Sequence, residues 1–156
     1  MKKLLLLFVL ISGIAFAQMP DISNVWLNNS KAYTGTIGSK NQEIKLKIDI
    51  SEQNRKNDQE YFVSGYTLVD KVYSKFEGKF IITQYKDARK KSTVFGTYEL
   101  AEENRGKHSG ILKGKFIYTF RWNKGTEKVE DQQIELTGNW KSYDGTMDFK
   151  TMIKNR

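Results

Sequence analysis

Apolar and polar residues alternate along most of this chain, and this pattern constrains the fold more than any other feature of the sequence. From Lys31 onward the alternation has a period of two and recurs in about eight segments separated by turn-forming clusters. Side chains alternate across a pleated strand, so each segment reads as a β-strand with one buried face. The predicted strands are Lys31–Ile37, Glu43–Ser51, Glu60–Val69, Val72–Tyr85, Ser92–Ala101, Gly110–Trp122, Val129–Ser142 and Thr146–Ile153.

The connections between these segments predict the order in which the strands pair. Asp70-Lys71 is tight, and Asp144-Gly145 is typical of a type I′ hairpin turn. Residues 52–59, 86–91 and 102–109 are predicted as longer charged loops. Short connections favour pairing of consecutive strands. The sequence therefore predicts an all-β fold, an antiparallel up-and-down barrel of about eight strands, with a twisted β-sandwich as the alternative.

The two faces of the predicted strands differ in polarity. In the second segment one face carries only aliphatic side chains, which are Ile44, Leu46, Ile48 and Ile50. The other face carries the charged side chains Lys45, Lys47 and Asp49. An outer-membrane barrel would keep its outward positions apolar to face lipid. The charged face therefore favours a water-soluble barrel with an apolar interior.

The first residues predict export. Lys2 and Lys3 precede the apolar run Leu4–Ile11, and Ala15-Phe16-Ala17 supplies small residues before Gln18, which is the pattern of a secretory signal peptide cleaved after Ala17. The predicted organisation is a signal peptide at 1–17, an irregular segment at 18–30 and a barrel domain at 31–156. The protein is expected to be secreted or periplasmic, a monomer, and without a stable membrane anchor, since no cysteine is present to carry a lipid.

The charge balance bears on the partners. The sequence has a formal net charge of +8, to which Lys2 and Lys3 contribute two. A basic balance favours acidic surfaces, an acidic protein partner among them. One basic cluster consists of Lys86, Arg89, Lys90, Lys91, Lys113 and Lys115; we interpret it as a solvated face, and export argues against a nucleic-acid partner.

Glycine is followed two residues later by an aromatic residue in four of the predicted strands, at Gly78/Phe80, Gly96/Tyr98, Gly114/Phe116 and Gly138/Trp140. Such pairs lie on one face, where they bend a small sheet and fill its interior. A small barrel can instead hold one ligand. The candidate ligand-binding residues are Tyr66, Phe80, Tyr98, Phe116, Tyr118 and Trp140.

Several short motifs carry a family resemblance. They are Gly35-Thr36-Ile37-Gly38, Gly65-Tyr66, Gly78-Lys79-Phe80, Tyr98-Glu99-Leu100 and Leu136-Thr137-Gly138-Asn139-Trp140. With these motifs the chain resembles secreted bacterial β-barrel proteins of lipocalin-like or avidin-like shape. The tryptophan-rich biotin signature of avidins is missing. The resemblance implies a barrel architecture and no particular activity.

Few residues could support catalysis. His108 is the only histidine and lies in a predicted turn. The absence of cysteine excludes thiolate chemistry. Because metal sites usually need several histidine or cysteine ligands, no metal or cofactor site is expected. Paired carboxylates remain, with Glu77 and Glu99 on strands and Glu102 and Glu103 in the following loop. The sequence thus favours a binding protein over an enzyme.

The predicted function is non-enzymatic binding of a small apolar molecule or a protein, with a ligand site at the open end of the barrel. One alternative is an envelope interaction, inhibitor or immunity-type protein that uses the loop Asn104–Ser109. A further alternative is a carbohydrate-active enzyme that uses Glu77 or Glu99.

Overall fold

The computed structural model describes residues 19–155, and most of them belong to one closed antiparallel barrel. Its eight strands are β1 (Tyr33–Ile37), β2 (Gln42–Asn54), β3 (Asn57–Val69), β4 (Val72–Lys86), β5 (Ser92–Glu102), β6 (Gly110–Asn123), β7 (Lys128–Ser142) and β8 (Asp148–Lys154). Each strand pairs with the next along the chain, and β8 pairs with β1 to close the sheet. The predicted all-β, up-and-down barrel is confirmed. The predicted signal peptide at 1–17 lies outside the described residues.

The inward face of the strands forms one apolar core. In β2 the alternation holds for Ile44, Leu46 and Ile48, which are buried as predicted. Ile50 was expected on the same face but is 56% exposed. The pairing between β2 and β3 shifts by one residue between Ile48 and Ile50, and such a bulge turns the next side chain to the opposite face.

Two predicted connections differ from those observed. The residues 52–59 are not a loop, because β2 and β3 continue to a two-residue turn at Arg55-Lys56. The Asn54 side chain supports this turn by accepting a hydrogen bond from the Lys56 backbone N–H at 2.9 Å. The Asp144-Gly145 turn is not of type I′, since a five-residue connection joins β7 to β8 and only Gly145 within it has a positive φ.

The antiparallel order gives the barrel two ends. The turns at 55–56, 87–91 and 124–127 lie at one end, which we call the plugged end. The turns at 38–41, 70–71, 103–109 and 143–147 lie at the other, the pocket end.

The segment before β1 fills the plugged end. It contains a four-residue helix, Ser23–Trp26, and a 3-10 turn, Asn28–Ser30. Trp26 is fully buried inside the barrel and makes edge-on contacts with Phe80 and Phe116, at ring-centroid distances of 4.9 and 5.0 Å. The Tyr33 hydroxyl donates a hydrogen bond to the Trp26 carbonyl oxygen at 2.8 Å. The segment that sequence reasoning left irregular is therefore a plug. Within residues 19–155 no helix is long and apolar enough to cross a membrane.

Glycines in the strands allow close packing. Gly96 lies opposite Phe116 in the sheet, and a Cβ atom at Gly96 would overlap the Phe116 ring. Gly114 and Gly138 face each other on β6 and β7, where a Cβ atom on either would overlap the backbone of the neighbouring strand. The Phe116 ring thus covers Gly96, and the backbones of β6 and β7 approach closely at Gly114 and Gly138. Close contacts of this kind allow a small sheet to curve strongly.

Candidate functional site

A pocket of about 330 Å³ opens at the pocket end of the barrel. Its apolar lining includes Ile37, Ile44, Val69, Val72, Met147 and Phe149. The polar groups on strands are Gln42, Thr67, Ser74 and Glu102, and the turns add Asp70 and His108. An apolar pocket with a few convergent polar groups is the usual form of a small-molecule site.

Glu102 is the most unusual residue of this pocket, because it is a carboxylate that is only 6% exposed. Its Oε1 accepts a hydrogen bond from the Thr67 hydroxyl at 2.5 Å. Its Oε2 accepts hydrogen bonds from the Trp140 indole Nε1–H at 2.9 Å and from the Gly110 backbone N–H at 3.1 Å. Hydrogen bonds of this kind offset part of the cost of removing a charge from water.

No basic side chain within residues 19–155 forms an ion pair with Glu102. The ion pairs found within residues 19–155 all join other side chains, and none includes Glu102. A carboxylate offers roughly four acceptor positions, and three neutral donors occupy three of them. The remaining capacity is on Oε1, beside the pocket that Glu102 lines.

The alternation along β5 explains how Glu102 comes to face inward. Val94, Gly96, Tyr98 and Leu100 all point into the barrel, and Glu102 is the next residue of that series. Sequence reasoning ended the strand at Ala101 and placed Glu102 in the following loop, which is wrong. The same period-two pattern, extended by one step, would have identified it.

Ser74 and the aromatic pair Trp140 and Phe149 complete the pocket. Ser74 is buried and lines the pocket. The rings of Trp140 and Phe149 stack at a centroid distance of 5.8 Å with an interplanar angle of 10°. The pocket thus presents a hydroxyl, a carboxylate and aromatic surface to one small volume.

The structure separates the six residues predicted to bind a ligand. Trp140 lines the pocket. Phe80, Phe116 and Tyr118 instead surround Trp26 at the plugged end, at centroid distances of 4.9, 5.0 and 6.0 Å. Tyr98 is buried in the core between the two groups, where burial raises the pKa of its phenol. The interior at these four positions is occupied by protein side chains.

Tyr66 does not face the interior at all. Val63 and Thr67 on the same strand are buried and point inward. Tyr66 directly precedes Thr67, so its side chain points to the opposite, outer face. There its ring contacts that of Tyr73 at a centroid distance of 4.8 Å. Its place among the predicted lining residues is therefore wrong, because it lies on the alternate face of β3.

The residues of the two alternative hypotheses lie elsewhere on the surface. In the loop Asn104–Ser109, Arg105 pairs with Glu103 at 2.6 Å, and His108 is exposed at the rim of the pocket. Glu77 and Glu99 line a shallow groove of about 470 Å³ on the outside of the barrel, and Glu99 pairs with Lys113 at 2.9 Å. In the described part of the chain no cluster of His, Asp or Glu side chains could hold a metal ion.

Comparison of the chain with models of protein families, with curated proteins and with solved structures finds no match.

Proposed function

We propose that this protein is a non-enzymatic binding protein whose pocket end holds one small molecule with a largely apolar body and a hydrogen-bond-donating head. The observation that carries the proposal is the Glu102 carboxylate, buried in an apolar pocket with neutral donors only. A primary ammonium is the head group that this arrangement favours, since it would supply both the missing charge and the missing donor.

The size and lining of the pocket support a small ligand. A volume of about 330 Å³ lies at the lower end of the range for small-molecule sites. The apolar body would contact Ile44, Val69 and Met147, which line the pocket. The Ser74 hydroxyl would then bond a second polar atom of the ligand, and an ammonium near the stacked Trp140 and Phe149 rings would gain a cation–π contribution.

The proposal includes the export predicted from residues 1–17. A released protein with this pocket would take up its ligand outside the cytoplasm. The basic net charge does not oppose a cationic ligand at the pocket end, because the turns there hold acidic residues in nearly the same number as basic ones.

The test compares three ligands that share one apolar chain: hexylamine, hexanol and hexanoate. Isothermal titration with the protein should rank hexylamine first and hexanoate last. Replacement of Glu102 by Gln should weaken hexylamine binding roughly tenfold or more, because a charge-assisted hydrogen bond is lost, and should change hexanol binding little.

Glu103→Gln is the matched control, since Glu103 is exposed next to Glu102 and carries the same charge. It should leave all three affinities unchanged. Binding of hexylamine that is equally strong in the wild type and in Glu102→Gln would contradict the role of Glu102. Failure of all three ligands, together with a native mass spectrum without any bound molecule, would contradict the binding function itself.

A further inference from the structure

A second concave surface lies at the plugged end and differs from the pocket in chemistry. It is a cleft of about 650 Å³ between the β4–β5 and β6–β7 turns. Tyr85 on β4 and Trp122 on β6 line it and are 52% and 51% exposed, and the half-buried Phe120 lies two residues before Trp122 on β6. Exposed apolar side chains that lie together in one concave surface are typical of interaction sites.

The plugged end also carries most of the basic turn residues. Its three turns contain six basic residues, Arg55, Lys56, Arg89, Lys90, Lys91 and Lys124, and two acidic ones. The four turns of the pocket end contain four basic and three acidic residues. None of the six basic residues takes part in an ion pair with any residue between 19 and 155.

We propose that the plugged end docks on the surface of an anionic lipid bilayer. Tyrosine and tryptophan have an apolar ring and a polar tip that suit the level of the lipid headgroups, and lysine and arginine near them attract anionic lipid. The cations are spread over three turns that form one face, whereas a single nucleic-acid strand is bound by cations that follow one groove. The meeting of exposed aromatic side chains and of basic residues outside any ion pair at one end favours an anionic bilayer as the partner.

The docking is testable with the chain from Gln18 to Arg156, which contains the whole barrel and its plug and lacks the apolar run. It should sediment with vesicles of phosphatidylcholine and phosphatidylglycerol at 7:3 and not with vesicles of phosphatidylcholine alone. Added salt should release it, because screening weakens surface attraction. The double variant Arg89→Glu/Lys90→Glu should bind roughly tenfold or more weakly, and Trp122→Ser should also bind less.

The matched control is Arg105→Glu/Lys107→Glu, which changes the net charge by the same amount at the pocket end. It should bind the anionic vesicles as the wild type does, and circular dichroism should show that all variants keep the β-sheet spectrum. Equal weakening in both double variants would overturn the proposal, since net charge alone would then explain the attraction. Tighter binding to a single-stranded oligonucleotide or to an acidic polysaccharide than to the vesicles would overturn it as well.

Discussion

The two ends of the barrel are built from the same strands and differ in what fills them. At the plugged end Trp26 enters from outside the sheet and packs against aromatic rings of β4 and β6. At the pocket end Met147 of the β7–β8 connection packs against the core, and a pocket remains that the strands line with aliphatic residues, Glu102 and Ser74. The inward side chains of the eight strands do not fill this barrel by themselves. Trp26 fills one end, and the other end keeps a pocket.

The largest expected effect comes from removal of the plug. Trp26→Ala should lower the free energy of unfolding by about 3–5 kcal/mol, because it removes a fully buried indole and leaves a cavity among its aromatic neighbours. Guanidinium unfolding followed by circular dichroism measures this. Trp122→Ala is the control, since it removes the same side chain from an exposed site at the same end and should cost about 0.5 kcal/mol or less. Similar small losses in both variants would show that the plug does not hold the barrel together.

The carboxylate at the pocket end should contribute less to stability than the plug. Glu102→Gln should lower the free energy of unfolding by about 1–3 kcal/mol, because the amide cannot accept from Thr67, Trp140 and Gly110 together. The exposed Glu99→Gln should change it by about 0.5 kcal/mol or less, since only its surface pair with Lys113 is lost. If the two variants were equally stable, the hydrogen bonds of Glu102 would not be what organises the pocket end.

The plugged end should also respond to alkaline pH. Burial raises the pKa of Tyr33 and of Tyr118 well above the usual value near 10. The stability due to their neutral phenols is complete below pH about 10 and is lost as the pH rises toward the folded-state pKa values. The free energy of unfolding should therefore fall above pH about 10. Tyr118→Phe should reduce that slope by about one proton per molecule; an unchanged slope would show that Tyr118 does not contribute.

The smallest effect is expected at the β7–β8 connection of the pocket end. Hydrogen bonds from the Thr146 backbone N–H and from the Ser142 and Thr146 hydroxyls lower the pKa of Asp144 to about 2. The stability from this carboxylate is present above pH about 4 and is lost as the pH falls through about 2. Asp144→Asn should remove this part of the acid dependence of the unfolding midpoint. An acid dependence identical to that of the wild type would contradict the assignment.

The strands were the most predictable part of the molecule. The eight predicted segments correspond to the eight strands, and their antiparallel order is confirmed. The errors lie where a local pairing irregularity overrides the periodicity. Ile50 is exposed because of the bulge beside Ile48, and a pattern of apolar residues alone contains no signal for that bulge.

The candidate site was less predictable than the strands. Of the six predicted lining residues only Trp140 reaches the pocket, because the others belong to the filled interior or, for Tyr66, to the outer face. Glu102 is a candidate carboxylate in the sequence, but its predicted place in a loop is wrong, because a charged residue at the end of an apolar alternation looks like the start of a connection. Which inward residues meet at an end depends on the stagger of all eight strands, and no single segment contains that information.

The sequence by itself determined which side chains face inward along the regular stretches of each strand, because alternation on a pleated strand is a local property of each segment. The tertiary structure decided that β8 returns to β1, that Trp26 enters the plugged end and that Thr67, Trp140 and Glu102 meet at the other end. Those contacts join residues far apart in the chain. Such residues come together only when all eight strands pair and the sheet closes.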